Sequence, residues 1–165
     1  MKTKIIFKKY SFVFAIMLAG LITMVSCKKD KNDTSNNTNA STYTVSGSGS
    51  GSQESPAVTT SAAASLTGSY NKTTNKLDYT ITWTGLSGVA SVVQLQGPGG
   101  AGVNASVLTG LSITTNGVSG TSSGSATLTD DAETALLAGN VYYNILTVAN
   151  PTGEVRGQVS AVADK

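Results

Sequence analysis

The clearest pattern in the chain is a strict alternation from Lys76 to Thr84: Leu77, Tyr79, Ile81 and Trp83 fall on one face, Asp78, Thr80, Thr82 and Thr84 on the other. Side chains two apart on a strand point the same way, so this period predicts a half-buried β-strand whose tryptophan belongs to the core. The preceding stretch, 62–70, sets Ala64, Leu66, Gly68 and Tyr70 in the same register, and Asn71-Lys-Thr-Thr-Asn75 supplies a hairpin connection. Further strands are predicted over 43–46, 89–95, 106–113, 122–128, 141–147 and 154–162. The last two are joined by Ala149-Asn-Pro-Thr-Gly153, whose proline and glycine are turn formers. Between the first strand and Gln53-Glu54, the alternating serines and glycines of 46–52 read as a flexible low-complexity link.

One segment breaks the β pattern. Asp130-Asp-Ala-Glu133 resembles a capping box, Leu136 and Leu137 supply an apolar patch, and Gly139 suits a left-handed C-terminal cap, so a short helix is predicted there. The acidic residues at its start are explained by the helix dipole, with less assumption than a calcium site needs. The expected fold class is all-β: an antiparallel Greek-key sandwich or barrel with one short helix, over a single domain at 42–163. Tyr142 and Tyr143 are adjacent on their strand, which predicts one in the core and the other exposed or at a rim.

The amino-terminal end has a different character. Lys2, Lys4, Lys8 and Lys9 precede an uncharged run from Ser11 to Val25, and the chain's one cysteine, Cys27, follows the small residue Ser26. A basic front, an apolar middle too short for a comfortable span and a small-residue end predict a cleaved signal over 1–26. The stretch from Leu21 to Cys27 resembles a loose lipobox, so Cys27 is expected to carry a lipid and the polar residues 27–41 to form a disordered tether. The expected location is the cell envelope, on the periplasmic or surface face of the outer membrane.

Losing the signal removes four of eleven basic residues and none of the nine acidic ones, leaving seven against nine, a net charge of −2. Nucleic acid is therefore a poor partner. Histidine is absent and no cysteine remains beyond Cys27, so the commonest general base, metal ligand and thiol nucleophile are missing from the domain. Catalytic residues, cofactors and metal ligands are all expected to be none. The glycine-rich 97–102 lacks the Lys-Ser/Thr of a phosphate loop and leads into a β pattern.

The order of segments Gln53-Glu-Ser-Pro-Ala-Val58, Leu77-Asp-Tyr-Thr-Ile81, Gln94-Leu-Gln-Gly-Pro98, Leu137-Ala-Gly-Asn-Val-Tyr-Tyr-Asn144 and Pro151-Thr-Gly-Glu-Val-Arg-Gly-Gln158 resembles the chordin-type (CHRD) domain family. The resemblance implies a β-barrel or sandwich in a secreted or lipid-anchored protein. It also implies a His-x-His-Gly-Pro pattern where this chain has Gln94 and Gln96, and a third histidine where it has Leu146. Imidazoles so placed would suit a divalent metal or a proton relay; glutamine is at best a weak oxygen ligand and leucine is none. The chain is thus expected to be a non-catalytic, membrane-anchored binding or structural module with a protein or glycan partner, its candidate ligand-binding residues being Gln94, Gln96, Asn144 and Arg156. The alternative is a metal-dependent, redox-type enzyme with a site near Gln94, Gln96 and Asn144.

Overall fold

The computed structural model describes residues 40–165; the expected signal, Cys27 and nearly all of the tether lie outside the described residues. The described residues begin with Ala40, which is buried, and Ser41, whose carbonyl accepts a bond from the Lys72 amide at 2.8 Å. Nine strands follow: β1 (Thr42–Ser50), β2 (Ala63–Asn71), β3 (Lys76–Thr84), β4 (Ala90–Gln96), β5 (Val107–Leu111), β6 (Ile113–Thr115), β7 (Gly120–Thr127), β8 (Val141–Thr147) and β9 (Val155–Ala163), with α1 (Asp130–Leu137) between β7 and β8. All pairings are antiparallel, in the order β5-β4-β8-β9-β1-β2-β3-β7-β6.

The two strands at the ends of that order are consecutive in the chain. Only Ser112 separates β5 from β6, so the sheet has to curl until its edges meet, and β5 lies against β7. The seam is stitched on both sides: the Ser112 amide donates to Tyr79 Oη at 3.0 Å and Ser122 Oγ donates to the Ser112 carbonyl at 2.7 Å. The fold is a near-closed nine-stranded barrel, which disposes of most of the unpaired backbone an open sheet would present. Predicted strand 106–113 is divided at this seam, because one run of residues serves both edges.

Inside the barrel, bulky and small residues alternate across strands. Tyr79 sits between Gly68 and Gly124, Trp83 stands opposite Gly120, and Tyr143 is paired with Gly157, itself opposite Gly49. A Cβ on Gly157 would run into the Tyr143 ring, and one on Gly49 would come within 2.5 Å of Tyr143 Oη. Small barrels fill their taper in this way. It corrects the sequence reading of 46–52: the segment is no flexible link but the second half of β1 and a 3-10 turn (Gly51–Gln53), and a Cβ would run into the Gln158 carbonyl at Gly47 and into the Tyr143 hydroxyl at Gly49. Tyr142 and Tyr143 correct a second expectation, since both are buried, at 1% and 0% exposure. Tyr143 fills the interior, while Tyr142 faces outward and is covered by the loop 97–106.

Helix α1 begins one residue earlier than its acidic motif suggested. Thr129 is the N-cap, accepting a 3.3 Å bond from the Ala132 amide, and Asp130, Asp131 and Glu133 occupy the first turn. Gly139 takes φ +72°, the left-handed conformation expected of it after the helix. Ala132, Ala135 and Leu136 pack into the core, and Glu133 accepts a 2.5 Å bond from Tyr70 Oη. Among the described residues no helix is long and apolar enough to cross a membrane.

If the glycine row exists to seat Tyr143, Gly157→Ala will cost about 1–3 kcal/mol through overpacking, read as a lower urea midpoint at unchanged slope. In a Tyr143→Leu background the same substitution will cost less; equal penalties in both backgrounds would refute the steric account.

Candidate functional site

The outward residues of β4 and β8 alternate with the core residues just described. Register pairs Gln94 with Asn144 and Gln96 with Tyr142, and places Leu146 opposite Val92. Gln94, Gln96, Asn144 and Leu146 therefore share one wall, and together with Glu54 and the Pro151–Gly153 turn they line a cavity of about 320 Å³. The three positions where the resemblance sets imidazoles thus come together, occupied by two amides and an isobutyl group.

Arg156 stands one strand further along, opposite Asn144 on β9, and is 1% exposed. It is not a lining residue. Its guanidinium lies over the Tyr142 ring with Cζ 3.4 Å from the centroid, a stacking that suits a delocalised planar cation. Nη2 donates to the carbonyls of Gly100 at 3.0 Å and Val103 at 2.7 Å, and Nη1 to Asn104 Oδ1 at 3.3 Å. Asn104 Nδ2 in turn donates to the Ser55 carbonyl at 2.7 Å. Arg156 is therefore a positioning group, fastening the loop 97–106 to the outer wall and, through Asn104, to the 51–56 segment. Gln158 does the same beside it, donating to the carbonyls of Gly99 at 3.0 Å and Gly139 at 2.8 Å.

Of the two glutamines, Gln96 is engaged by the protein. Its Nε2 donates to the Ala105 carbonyl at 3.3 Å and its Oε1 accepts from Asn144 Nδ2 at 3.0 Å, while the same Asn144 nitrogen also donates to the Thr152 carbonyl at 3.1 Å. These two acceptors fix the orientation of the Asn144 amide, and its Oδ1 is left buried with no partner. Gln94 is half-buried at the cavity wall.

Two carboxylates behave in opposite ways here. Glu154, fully buried at the end of the β8–β9 turn, would be pushed up by burial, but it accepts from Ser87 Oγ at 2.6 Å, Thr147 Oγ1 at 2.7 Å, the Ser87 amide at 2.8 Å and Thr60 Oγ1 at 3.0 Å. Those donors outweigh the burial and hold its pKa below the usual value. Glu54 has no such donors: its Oε1 is buried without a partner. Burial pushes its pKa up to about 7, against the opposing pull of the Arg156 charge. Glu54 was not among the expected ligand-binding residues; the signal it carried was its position in the segment Gln53–Val58. Gly153 was read only as a turn former. It takes φ +141°, and a Cβ there would collide with both the Asn144 amide and Glu54 Oε1. The two unpartnered oxygens therefore converge on the same spot.

The signs of the two linkages differ. Glu54, with its folded pKa raised, contributes stability that is fully present below about 4.5 and is lost as pH rises to about 7. Glu154, with its folded pKa lowered, contributes stability present above the ordinary carboxylate range and lost as pH falls through its depressed value. Glu54→Gln is expected to raise the melting temperature at pH 8 relative to the parent and to abolish the decline between pH 5 and pH 7. Glu154→Gln is expected to cost about 2–3 kcal/mol at pH 7, since hydrogen bonds to a charged group are each worth about 1.5–3 kcal/mol. Urea melts at pH 5, 7 and 8 check both; a parent-like pH profile in Glu54→Gln would contradict the assignment.

Residues 45–159 match the family model described as the CHRD domain, from within β1 to the middle of β9. No curated protein and no solved structure matches significantly. With some 70% of its length inside that match, and with the barrel as the matched unit, the chain belongs to the CHRD domain family.

Proposed function

We propose that the mature chain is a non-catalytic binding module of the cell envelope, tethered to a membrane by a lipid on Cys27, whose outer-wall pocket holds a small polar ligand or a polar side chain of a protein or glycan partner. CHRD domains are generally non-catalytic and typically extracytoplasmic. The observation that carries the reading is the convergence of Gln94, Gln96, Asn144 and Leu146 on one wall, beneath loops that Arg156 and Asn104 hold in place. A pre-formed concave site with a few fixed polar groups is what small-ligand recognition needs.

The same inventory argues against chemistry. A lone carboxyl near neutral pKa is how general acids are tuned, but here one of its oxygens is sealed against Asn144. Besides Glu54, the lining has one other titratable side chain, Tyr142, whose hydroxyl accepts the Ala105 amide at 2.9 Å. Amides at 94 and 96 and an aliphatic side chain at 146 can hydrogen-bond and pack; they move no proton. The positions read as a family site converted from imidazole chemistry to recognition.

The anchor is supported by the residues that precede it: a basic front, an uncharged run and a small residue before Cys27. Detergent phase partitioning checks it. The parent chain is expected in the detergent phase and Cys27→Ser in the aqueous phase; a parent protein found in the aqueous phase would remove the anchor. Ligand binding is checked by thermal shift of the protein against glycan, peptide and small polar panels, because a ligand that binds only the folded form raises the melting temperature. Gln94→Leu is expected to remove at least half of any shift observed. Stoichiometric transition metal in the purified protein, lost on Gln96→Leu, would instead favour a metal-dependent enzyme.

A further inference from the structure

The pocket is rich in acceptors and poor in donors. Asn144 Nδ2 and Gln96 Nε2 are both committed to protein oxygens, and the donors of Arg156 are turned away onto Gly100, Val103 and Asn104. What remains open is the second oxygen of the Glu54 carboxyl and the half-buried amide of Gln94; Glu54 Oε1 and Asn144 Oδ1 are buried without partners and closed to a ligand. Two buried acceptors aimed at one point, with no hydrogen between them, each leave a desolvated lone pair uncompensated. A proton on Glu54 removes the buried charge from within. A ligand can answer that charge from outside, at the open carboxylate oxygen, by bringing its own hydrogens.

We propose that this pocket takes a protonated primary amine, whose ammonium group replaces the proton on Glu54 by pairing with the open oxygen of its carboxylate. The inference rests on the binding-module reading of the same pocket and names its ligand class. An ammonium has three N–H donors and no acceptor, which matches the open carboxylate oxygen of Glu54 and the Gln94 carbonyl oxygen. A divalent cation fits less well, because Glu54 is the only carboxylate in the lining and hard divalent ions gather six or more oxygens. A neutral hydroxyl brings a single hydrogen and leaves the carboxylate charge unanswered. Pro56, Pro151 and Leu146 supply an apolar collar for the methylene or ring carbons behind the amine.

Exchange of an ammonium for a proton makes affinity depend on pH. The charged or titratable groups around Glu54 are Arg156 on β9, which stays cationic throughout, and Tyr142 on β8. Glu154, beyond the Gly153 turn, is held ionised by its four donors and does not change charge in the neutral range. The change between pH 6 and pH 8 therefore belongs to Glu54, whose burial places its midpoint near 7.

The test uses the full chain purified in detergent and calorimetric titration with Nα-acetyl-lysine amide and with glucosamine, each beside its neutral N-acetylated counterpart. The two amines distinguish a protein side chain from an amino sugar as the source of the group. At pH 8 at least one amine is expected to bind tenfold or more tightly than its acetylated counterpart, and to lose about tenfold in affinity at pH 6, the change in ionised fraction for a group titrating near 7. Glu54→Gln, whose melting curve reports that it folds, is expected to lose both the amine preference and the pH dependence. Amines binding no better than their acetylated counterparts, while a neutral glycan or peptide still raises the melting temperature, would overturn this inference and leave the binding-module reading standing. Amine binding that persists unchanged in Glu54→Gln would also overturn it. Absence of binding by every probe and panel member at both pH values would sink the two together.

Discussion

The structure depends on a covalent constraint at Ser112. Because β5 and β6 are opposite edges of the sheet and one residue apart in the chain, the sheet has one way to pair its strands fully, which is to roll up. Closure sets the width of the interior, and the width decides what fits. Tyr79, Trp83 and Tyr143 fill it only because glycines stand on the neighbouring strands, so the glycine content that resembles a linker in sequence is a packing requirement of a narrow barrel.

Closure also determines the outer wall. With apolar side chains taken inward, β4, β8 and β9 turn their alternate residues outward, and the loops 51–56 and 97–106 fold over that face. The guanidinium of Arg156 answers the carbonyls of an irregular loop that has few backbone partners of its own. Burying an unpaired cation is costly, and here three oxygen acceptors, the Tyr142 ring and the neighbouring Glu54 charge offset that cost. The result is a pocket whose walls are rigid strands and whose rim is pinned.

Glu54 and Glu154 show how the same side chain acquires opposite character within one fold. Glu154 gathers donors from Thr60 in the segment before β2, from the β3–β4 loop and from β8, and its charge is the centre that ties those segments together. Glu54 faces an amide oxygen, and its charge is unwelcome until something supplies a hydrogen. Identity does not separate the two; the count of donors does.

The alternating residues of β3 determined that strand to the residue, because a period of two needs no partner to be recognised. Trp83 as core, the helix at α1 and the Gly139 cap were likewise local, as were the absence of histidine and the segment order that carries the family. Strand β1 was legible only as far as Ser46, since Gly47 and Gly49 carry no side chain and the groups that exclude one lie on β9 and β8. The burial of Tyr142 escaped the alternation rule because a loop distant in sequence covers it. At the site, the sequence determined that Gln94 and Gln96 share a face and that imidazole is missing. Only the tertiary structure brought Leu146 and Asn144 beside them and set Glu54 against Asn144, because register between strands and the number of donors around a buried charge are properties of chain segments meeting in space.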